Sequence, residues 1–481
     1  MKKVLLYNPR ERTNLRIPYL PFSLMTIGSA LEKEGFSVQI IDARIEKDSH
    51  AQIREALRED ILFFGVTLIT GSGIYDALEA AEIVKKYDPR IPTIFGGVHA
   101  SLLPGETVRN PLIDIVVIGP GEITAPKLAH AFTCQEPIDT VEGIAFKKDN
   151  HVVIRPAAAG QPETAFAPID YRLVPLGRYL KKDATGDRCL DYLSSRGCPH
   201  PCTYCAISKI WKKKIFFYSA EKILEDLESF VRDHRIDSIH FLDDNFFVNR
   251  QRVESFCDKI LAKGLKIRIW SMCRIQYFSG YDDAFLEKLK KAGFCTLNFG
   301  AESGSQMILD RIKKGHAVEE ILRTAQKCHQ MGFRGQFSFM MGFPFEQPSD
   351  LEKTMHLIET LHGIDPSFDL QLFPFTPFPQ TDLAEECVHH GYCPPSRLED
   401  WARFEYGGIK MPWLSKTLRK KIDVLTSIAW FGFTSETAIK LGGWRGCVFQ
   451  FFGKIARWRW RKRFFGFPLE WKLINFFTRG H

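Results

Sequence analysis

The stretch that decides the fold of this chain is DYLSSRGCPHPCTYCAI, residues 191–207. An apolar strand runs directly into Cys198, Cys202 and Cys205, three thiols with the spacing CxxxCxxC. Thiolates are the soft ligands of iron–sulfur clusters, and a cubane usually takes four of them. The spacing and the preceding strand therefore favour a cluster-binding loop at the end of a strand.

Three sulfurs in one loop leave one iron of a 4Fe-4S cluster without a protein ligand. An open iron is useful only when something else binds it, and S-adenosylmethionine (SAM) can do so through its amino and carboxylate groups. A zinc site would need a fourth ligand for tetrahedral closure, and His200 lies awkwardly inside the loop. Chance clustering is the other alternative, because the chain holds 12 cysteines. Tyr204, directly before the last cysteine of the loop, supports the cluster.

The composition is that of an ordinary globular protein. Of 481 residues, 45% are apolar and 25% are charged, and this length suits two or three domains. We find no secretion signal and no run of roughly 18 apolar residues. We therefore expect a cytoplasmic protein without a disulfide scaffold.

Short apolar runs alternate with helical patterns over the first 130 residues or so, which predicts a doubly wound parallel sheet. The runs are residues 4–9, 38–43, 61–70, 92–97 and 114–119. Ligands of such sheets lie beyond the carboxyl ends of the strands. The residues expected at those ends are Asn8, Thr67, Thr70, Gly71, Gly96, Gly97, His99, Gly119, Gly121 and Glu122. Tight strand-to-helix turns without a ligand are the equally weighted alternative.

A hairpin about Asp149-Asn150 and a Pro/Ala-rich linker lead into a second series of strands and helices. Its apolar runs are residues 191–198, 238–247, 267–274, 295–303, 335–343 and 369–377. Six such units predict a partial barrel with its site at the carboxyl ends of the strands. The expected domains are 1–135 (Rossmann-like sheet), 136–187 (hairpin and linker), 188–400 (barrel) and 401–481 (a small, mostly helical C-terminal region).

Over roughly residues 188–385 the chain resembles the radical SAM superfamily. The motifs that carry the resemblance, besides the cysteine loop, are FLDDNF (241–246), GAESGS (300–305), MGFPFEQPSD (341–350) and PFTPFPQTDL (374–383). The third differs from the family's Gly-x-Pro-Gly-Glu-Thr, since Phe345 and Gln347 replace a glycine and a threonine. That departure leaves the role of Glu346 in doubt.

The resemblance implies which residues bind SAM. The cofactor contacts it implies are Tyr204, Asp243, Asp244, Asn245, Arg274, Glu302, Ser303, Gly342 and Pro344. The acidic pair and Asn245 would accept hydrogen bonds from the SAM ammonium, and Arg274 would bind its carboxylate. Two alternatives remain open: one of the acids caps the next helix, and Arg274 forms a surface ion pair.

The order of the two units resembles that of cobalamin-binding radical SAM enzymes. The matches are LPFSLMTIGSALEKEGFSVQIIDA (20–43), FGGVHASLLPGE (95–106) and VVIGPGE (116–122). Asp48-Ser49-His50 is not a cobalt ligand, because Ile53 stands where that motif requires glycine. His99 is expected to contact the corrin edge or to stabilise a turn. A methylthiotransferase would need a second cysteine triad upstream, which the sequence lacks.

The resemblance implies a methyltransferase that uses a 4Fe-4S cluster, SAM and cobalamin. It implies that one SAM yields a 5′-deoxyadenosyl radical, that methylcobalamin delivers a methyl group to an unactivated carbon, and that a second SAM remethylates cobalt. A reductant such as flavodoxin or ferredoxin would supply electrons. The alternatives are a ring-closing or oxygen-inserting enzyme with both cofactors, and a non-catalytic corrinoid or SAM sensor.

The positive charge of the chain lies at its C-terminal end. Residues 441–481 contain nine lysines and arginines and one acid, Glu470, and the net charge of the whole chain is +8. The tail therefore carries the entire excess of positive charge, and the rest of the chain is close to neutral. Nucleic-acid binding by the whole chain is not expected. Residues 444–477 interleave aromatics with these cations. They would either lie at a lipid surface or form a subdomain over the barrel mouth. The same composition favours a hydrophobic substrate, such as an isoprenoid lipid or a tetrapyrrole, or another secondary metabolite.

Overall fold

Two sheets, one after the other in the chain, form the body of the molecule: the first is mostly parallel and the second is fully parallel. The computed structural model describes residues 2–11, 18–156, 168–404, 409–434 and 443–466. The predicted linker at 157–167 and the end of the aromatic segment at 467–477 lie outside these ranges.

The N-terminal sheet is doubly wound, as the alternation of apolar runs predicts. Its elements are β1 (Lys3–Asn8), α1 (Phe22–Lys33), β2 (Ser37–Asp42), α2 (Ser49–Ala56), β3 (Ile61–Thr67), α3 (Gly73–Tyr87), β4 (Thr93–Gly96), α4 (Gly97–Leu102), α5 (Pro104–Val108), β5 (Ile115–Val117), α6 (Gly121–Cys134), β6 (Ile144–Lys148) and β7 (His151–Arg155). The strand order is β2-β1-β3-β4-β5-β6-β7. Every residue of β3 is buried, because helices cover both faces of the sheet.

The predicted hairpin belongs to this sheet rather than to a linker. Strand β6 pairs antiparallel with β5, and β7 pairs antiparallel with β6. Asp149 and Asn150 form the turn with φ of 50° and 63°, the left-handed pair that a two-residue hairpin requires. The sheet therefore continues to Arg155, so the hairpin that follows the expected Rossmann-like domain extends its sheet.

The predicted strand at 191–198 is divided in two. Strand β8 (Cys189–Tyr192) belongs to the second sheet, whereas β9 (Ser195–Gly197) turns away. It pairs antiparallel with β10 (Ile215–Phe217), which lies beyond the short helix α7 (Ile207–Ile210). The cysteine loop therefore follows β9, outside the plane of the second sheet.

The second sheet is the predicted six-stranded partial barrel. The remaining elements are α8 (Ala220–His234), β11 (Ser238–Phe241), α9 (Arg250–Lys263), β12 (Arg268–Cys273), α10 (Ile275–Gly280), α11 (Asp283–Lys291), β13 (Phe294–Glu302), α12 (Gln306–Arg311), α13 (Val318–Met331), β14 (Arg334–Met341), α14 (Pro348–Ile364), β15 (Asp369–Pro374) and α15 (Asp382–His389). The strand order is β15-β14-β13-β12-β11-β8, and all pairs are parallel.

Helix α8 shows why these segments fold as they do. Ser219 caps it by accepting from the Lys222 amide, and Arg235 ends it with a left-handed φ of 52°. The buried apolar side chains recur at helical spacing: Ile223, Leu224, Leu227 and Phe230. Each fully buried side chain of this size stabilises the fold by about 1.5–3 kcal/mol.

The C-terminal region is mostly helical, as expected, and contacts both sheets. A 3₁₀ helix (Leu398–Arg403) places Trp401 against the N-terminal domain, where its indole N–H donates to Glu106 Oε1 at 2.5 Å. Helices α16 (Lys416–Phe433) and α17 (Gly443–Arg461) follow. Among the residues that the structure describes, none of the helices has the length and hydropathy needed to cross a bilayer.

Candidate functional site

The cysteine loop is fixed to the barrel through its own backbone. Cys202 is buried, and Cys198 and Cys205 are partly buried. Between them, the Thr203 amide donates to the Ile312 carbonyl at 3.1 Å, and the Thr203 carbonyl accepts from the Leu383 amide at 3.0 Å. Two distant segments of the barrel therefore hold the loop in place before any metal binds.

Two side chains donate to the sulfurs of this loop. Arg274 Nη1 lies 3.4 Å from Cys202 Sγ, and Asn245 Nδ2 lies 3.8 Å from Cys198 Sγ. Donors of this kind favour thiolate and tune a bound cluster. Burial raises the pKa of Cys198, and it raises that of Cys205 to about 11, so metal binding must displace protons from these thiols.

His200, the alternative zinc ligand, is engaged elsewhere. Its Nε2 lies 2.6 Å from the Tyr277 hydroxyl. Burial, helped by the charges of Arg274 and Lys314, lowers the pKa of His200 to about 4, so the ring is neutral. The three sulfurs thus stand without this histidine as a fourth ligand.

Beside the loop lies a polar cavity of about 810 Å³, its open mouth included. Strand ends of the barrel supply its wall, as the barrel geometry predicts. The lining residues are Cys198, His200, Cys202, Tyr204, Cys205, Ile207, Ser208, Asp244, Asn245, Met272, Cys273, Arg274, Asn298, Gly300, Glu302, Lys314 and Ser338.

Glu302 is the centre of a buried polar network in this cavity. Its Oε1 accepts from the Tyr204 hydroxyl at 2.9 Å and from Lys314 Nζ at 2.5 Å. Glu302 has a left-handed φ of 64° at a register shift that ends β13. A side chain at Gly300 would contact both Glu302 Oε1 and Lys314 Nζ, so a larger residue there would force this pair to shift.

The two acids that follow β11, Asp243 and Asp244, have different environments. Asp243 is fully buried and accepts from the Ser194 amide at 2.6 Å and from the Ser195 hydroxyl at 2.7 Å. It holds the bend between β8 and β9 and does not line the cavity, which corrects the expectation that it binds the SAM ammonium. Asp244 does line the cavity and accepts from the Gly197 amide at 2.9 Å. Burial raises the pKa of Asp244 to about 6.

A second cavity lies between the two sheets. It encloses about 1140 Å³ with its open mouth, beyond the carboxyl ends of the N-terminal strands. The predicted residues that line it are Thr67, Gly96, Gly97, Gly119, Gly121 and Glu122. A side chain at Gly119 would project into open space, so the backbone there is accessible to a ligand, whereas Gly97, with a φ of 90°, is required by the turn against Leu68.

A buried ion pair joins the domains at the edge of this cavity. Glu122, in the first turn of α6, pairs with Arg196 of β9. Arg196 Nη2 also donates to Thr26 Oγ1 at 3.0 Å and to the Tyr218 hydroxyl at 3.1 Å. Since Gly197 and Cys198 follow directly, this pair links the N-terminal domain to the cluster loop.

Comparison with known families shows which domains border these cavities. The model of the radical SAM superfamily matches residues 192–358, and that of the B12 binding domain matches residues 13–129. The chain is a B12-binding radical SAM enzyme. Its cofactors are a 4Fe-4S cluster, SAM and cobalamin.

Curated relatives include methyltransferases and a cyclase. An uncharacterised methyltransferase of Pyrococcus horikoshii is 29% identical over 394 residues, which cover 81% of this chain and 83% of the relative. An anaerobic magnesium-protoporphyrin IX monomethyl ester cyclase of Cereibacter sphaeroides is 27% identical over 367 residues, or 74% of this chain and 58% of the relative. This chain thus spans just over half the length of the cyclase.

The fold matches a solved structure of the same class. OxsB, a cobalamin-dependent SAM radical enzyme solved with aqua-cobalamin and SAM bound, superposes with a TM-score of 0.75. The two are 18% identical, and the match covers 100% of this chain and 75% of OxsB. Both the sheet and the partial barrel of this B12-binding radical SAM enzyme therefore have the expected architecture.

Several predicted contacts of the B12-binding radical SAM enzyme lie away from both cavities. His99 is buried, with Nδ1 2.9 Å from Thr70 Oγ1 and its ring against Trp401, so it faces the C-terminal region. Burial lowers the pKa of His99 to about 4. The other residues that the structure places outside the cavity linings are Asn8, Gly71, Ser303, Gly342 and Pro344.

Three of the residues outside the cavity linings form hydrogen bonds with other parts of the fold. The Ser303 hydroxyl pairs with Thr354 Oγ1 at 3.1 Å, and the Gly342 carbonyl accepts from the Trp413 indole at 2.9 Å. The Asn8 carbonyl accepts from the Ala43 amide at 2.9 Å. These contacts show what holds the residues within the fold, and their contacts with a cofactor stay predictions.

Sequence reasoning missed other lining residues. Lys314, Asn298 and Ser338 line the cavity beside the cysteine loop, and Arg196 and Trp211 line the cavity between the two sheets, the interdomain cavity. Asn298 and Ser338 are polar residues inside otherwise apolar strand runs, a signal that could have indicated them. Lys314 follows α12 and has no motif around it, so only the tertiary contact with Glu302 reveals it.

Proposed function

We propose that this enzyme is a methyltransferase that adds a methyl group to an unactivated carbon. The wall shared by the two cavities supports chemistry with both cofactors, since Ile207 and Asp244 line both, and the similarity to the Pyrococcus horikoshii methyltransferase carries the choice of methyl transfer. When bound, the cluster supplies the electron that cleaves SAM to a 5′-deoxyadenosyl radical, and cobalamin supplies the methyl group. A substrate bound at the shared wall is accessible from both cavities.

The residues of the chain bind and orient these groups. Cys198, Cys202 and Cys205 would hold the cluster, and Arg274 and Asn245 donate to the Sγ atoms of Cys202 and Cys198. Such outer donors keep ligands oriented and adjust their basicity. Arg274 also lines the cavity beside the loop, where it is our candidate for binding the SAM carboxylate.

Glu302 is our candidate for the SAM ribose. Its Oε1 already accepts from Tyr204 and Lys314, which leaves Oε2 to accept from a ribose hydroxyl. Asp244 and Asn245, on the opposite wall, are the candidates for the ammonium. This arrangement would place the two ends of SAM on different strands of the barrel.

The substrate we propose is hydrophobic. On the barrel side, the interdomain cavity has an apolar wall of Leu193, Ile207, Ile210 and Trp211. Such a wall favours an isoprenoid lipid, a tetrapyrrole or another apolar secondary metabolite over a charged molecule. We further propose that the enzyme works in the cytoplasm, with flavodoxin or ferredoxin as the reductant.

Ring formation without methyl transfer is the second candidate. The similarity to the magnesium-protoporphyrin cyclase favours it, because that relative matches 74% of this chain at 27% identity. Both candidates need the same radical and the same two cavities. The mass of the product separates them.

The test is anaerobic turnover with methyl-labelled SAM and a lipid-soluble extract, with a water-soluble extract in parallel. Methyl transfer predicts a lipid-soluble product that carries the label, together with 5′-deoxyadenosine. Cys202→Ala protein is the control and should form neither. A product that has lost hydrogen and carries no label would contradict methyl transfer and establish ring formation.

A further inference from the structure

Helix α17 carries apolar side chains on two opposite faces. One face packs against α16, and its buried members are Gly446, Phe449, Gly453, Ala456 and Trp460. A side chain at Gly453 would meet the Phe431 carbonyl of α16 at 2.7 Å, so the two helices are in close contact there. Packing within the fold therefore accounts for this face.

The opposite face presents three large aromatics to solvent. Trp444, Phe451 and Trp458 are 63%, 60% and 56% exposed, and each follows the last by seven residues. Seven residues make about two turns of an α-helix, so the three rings lie along one line. Large aromatic side chains that are exposed along one face of a helix indicate an interaction site.

Cations border this line of rings. Lys454 and Arg461 are exposed and lie three residues after Phe451 and Trp458, which makes them neighbours on the helix surface. Residues 443–466 contain no aspartate or glutamate. The α17 aromatic face, defined by Trp444, Phe451, Trp458 and these two cations, is therefore both apolar and positively charged.

The helix is held rigidly on the barrel. Arg463, just after α17, binds Glu352 at 2.9 Å and Glu359 at 2.7 Å, both on α14. Lys421 of α16 lies 3.5 Å from Glu352 as well. Glu352 and Glu359 are thus paired with Arg463 and Lys421, and these ion pairs connect the end of α17 to α14 of the barrel.

We propose that the α17 aromatic face binds the surface of an anionic lipid bilayer. Its rings would enter the boundary between headgroups and acyl chains, and Lys454 and Arg461 would contact lipid phosphates. A second copy of the chain fits this face poorly, because a twofold contact would place its cations against themselves. The inference concerns where the enzyme acts and does not depend on the reaction proposed above.

Sedimentation of the full-length protein with vesicles tests the proposal. The vesicles are phosphatidylcholine alone, or phosphatidylcholine with about one third phosphatidylglycerol. We expect binding to the anionic vesicles only, weakened by salt. Phe451→Ser/Trp458→Ser and Lys454→Glu/Arg461→Glu should each lower the bound fraction about tenfold or more.

Two control variants match these changes elsewhere on the surface. Tyr87→Ser removes a ring that is 57% exposed, and Lys266→Glu reverses an exposed charge, and both should bind like the wild type. Equal binding to neutral vesicles, undiminished binding of the α17 variants, or their conversion from dimer to monomer would overturn the proposal. The proposal would also be overturned if vesicle binding were lost on removal of residues 467–481 and unaffected by the α17 substitutions.

Discussion

The carboxylate of Glu302 connects the end of β13, the cluster loop and the segment after α12. These three segments border the cavity beside the cysteine loop, which we propose as the SAM site and call the SAM cavity. The left-handed backbone of a residue with a side chain costs on the order of 1–3 kcal/mol and persists only where its surroundings enforce it. Here Tyr204 comes from the cluster loop, and Lys314 from beyond α12, and both donate to Glu302 Oε1. The network therefore couples the cluster loop to the ribose side of the cavity.

We predict that Lys314→Met weakens SAM binding by about tenfold or more, as expected for coupled neighbours in a buried network. Loss of the ammonium leaves the carboxylate of Glu302 buried with only the Tyr204 hydroxyl as partner. Equilibrium dialysis of SAM against the anaerobic, cluster-loaded protein measures the effect. The double variant Lys314→Met/Glu302→Gln should show a non-additive loss, and additive losses would argue against the network.

Glu346 should make the free energy of unfolding depend on pH. Burial raises its pKa to about 7, while Oε2 accepts from the Gly342 amide. A carboxyl whose folded pKa is raised stabilises the fold below its unfolded pKa, near pH 4.5, and loses that contribution as pH rises through 7. Glu346→Gln should therefore gain up to about 3 kcal/mol over the wild type between pH 5 and pH 8.

Thermal melting at several pH values measures this difference. The exposed Glu319→Gln serves as the control and should follow the wild-type curve at every pH. Parallel curves for the wild type and Glu346→Gln would show that Glu346 does not titrate in this range. The result bears on the loop after β14, whose role the sequence left in doubt.

At the scale of elements, the short hairpin of β9 and β10 decides how the domains meet. It lies outside the barrel sheet and carries Arg196, which pairs with Glu122 of α6. The acid also lies in the first turn of its helix, where the helix dipole favours negative charge. One buried contact thus aligns the cluster loop with the glycine-rich wall of the interdomain cavity.

We predict that Arg196→Met lowers cobalamin retention, because an unpaired buried Glu122 costs about 3–5 kcal/mol. The absorption spectrum of purified, cobalamin-loaded protein measures the bound corrinoid. Glu122→Gln/Arg196→Met removes both charges and should retain more cobalamin than Arg196→Met alone. If the single and double variants retain the wild-type amount, the pair does not position the domains.

The strands could be predicted from the sequence, whereas the long-range hydrogen bonds that bend and connect them could not. Buried parallel strands are continuous apolar runs, so β3 and β13 are evident without a structure. The bend after Tyr192 was missed, because it depends on Asp243, which is more than 40 residues further on and accepts from Ser194. The sequence pattern around Tyr192 gives no information about a hydrogen bond to a residue so far along the chain.

At the scale of the whole molecule, the sequence indicated two cofactor domains in the right order but not how they join. The glycines at strand ends and the cysteine spacing are local features, and both were found. Glu122 and Arg196 are 74 residues apart, and Asn110 donates to Glu399 across 289 residues. Such pairs depend on the final packing, as does the exposure of the α17 aromatic face.

The central claim is a cluster held by three sulfurs with one iron open to SAM. Its most direct test is electron paramagnetic resonance of the reduced, anaerobic protein with and without SAM, alongside iron and sulfide analysis. Cys198→Ala, Cys202→Ala and Cys205→Ala should each lose the cluster. Cys273→Ala is the matched control, because its thiol lines the same cavity but donates to the Arg274 carbonyl at 3.5 Å.

We predict four irons and four sulfides per chain, as in a cubane, and a spectrum that changes when SAM is added. The Cys273→Ala protein should keep both the iron content and the response to SAM. Protein that contains zinc alone, or a cluster whose spectrum is unaffected by SAM, would contradict the account.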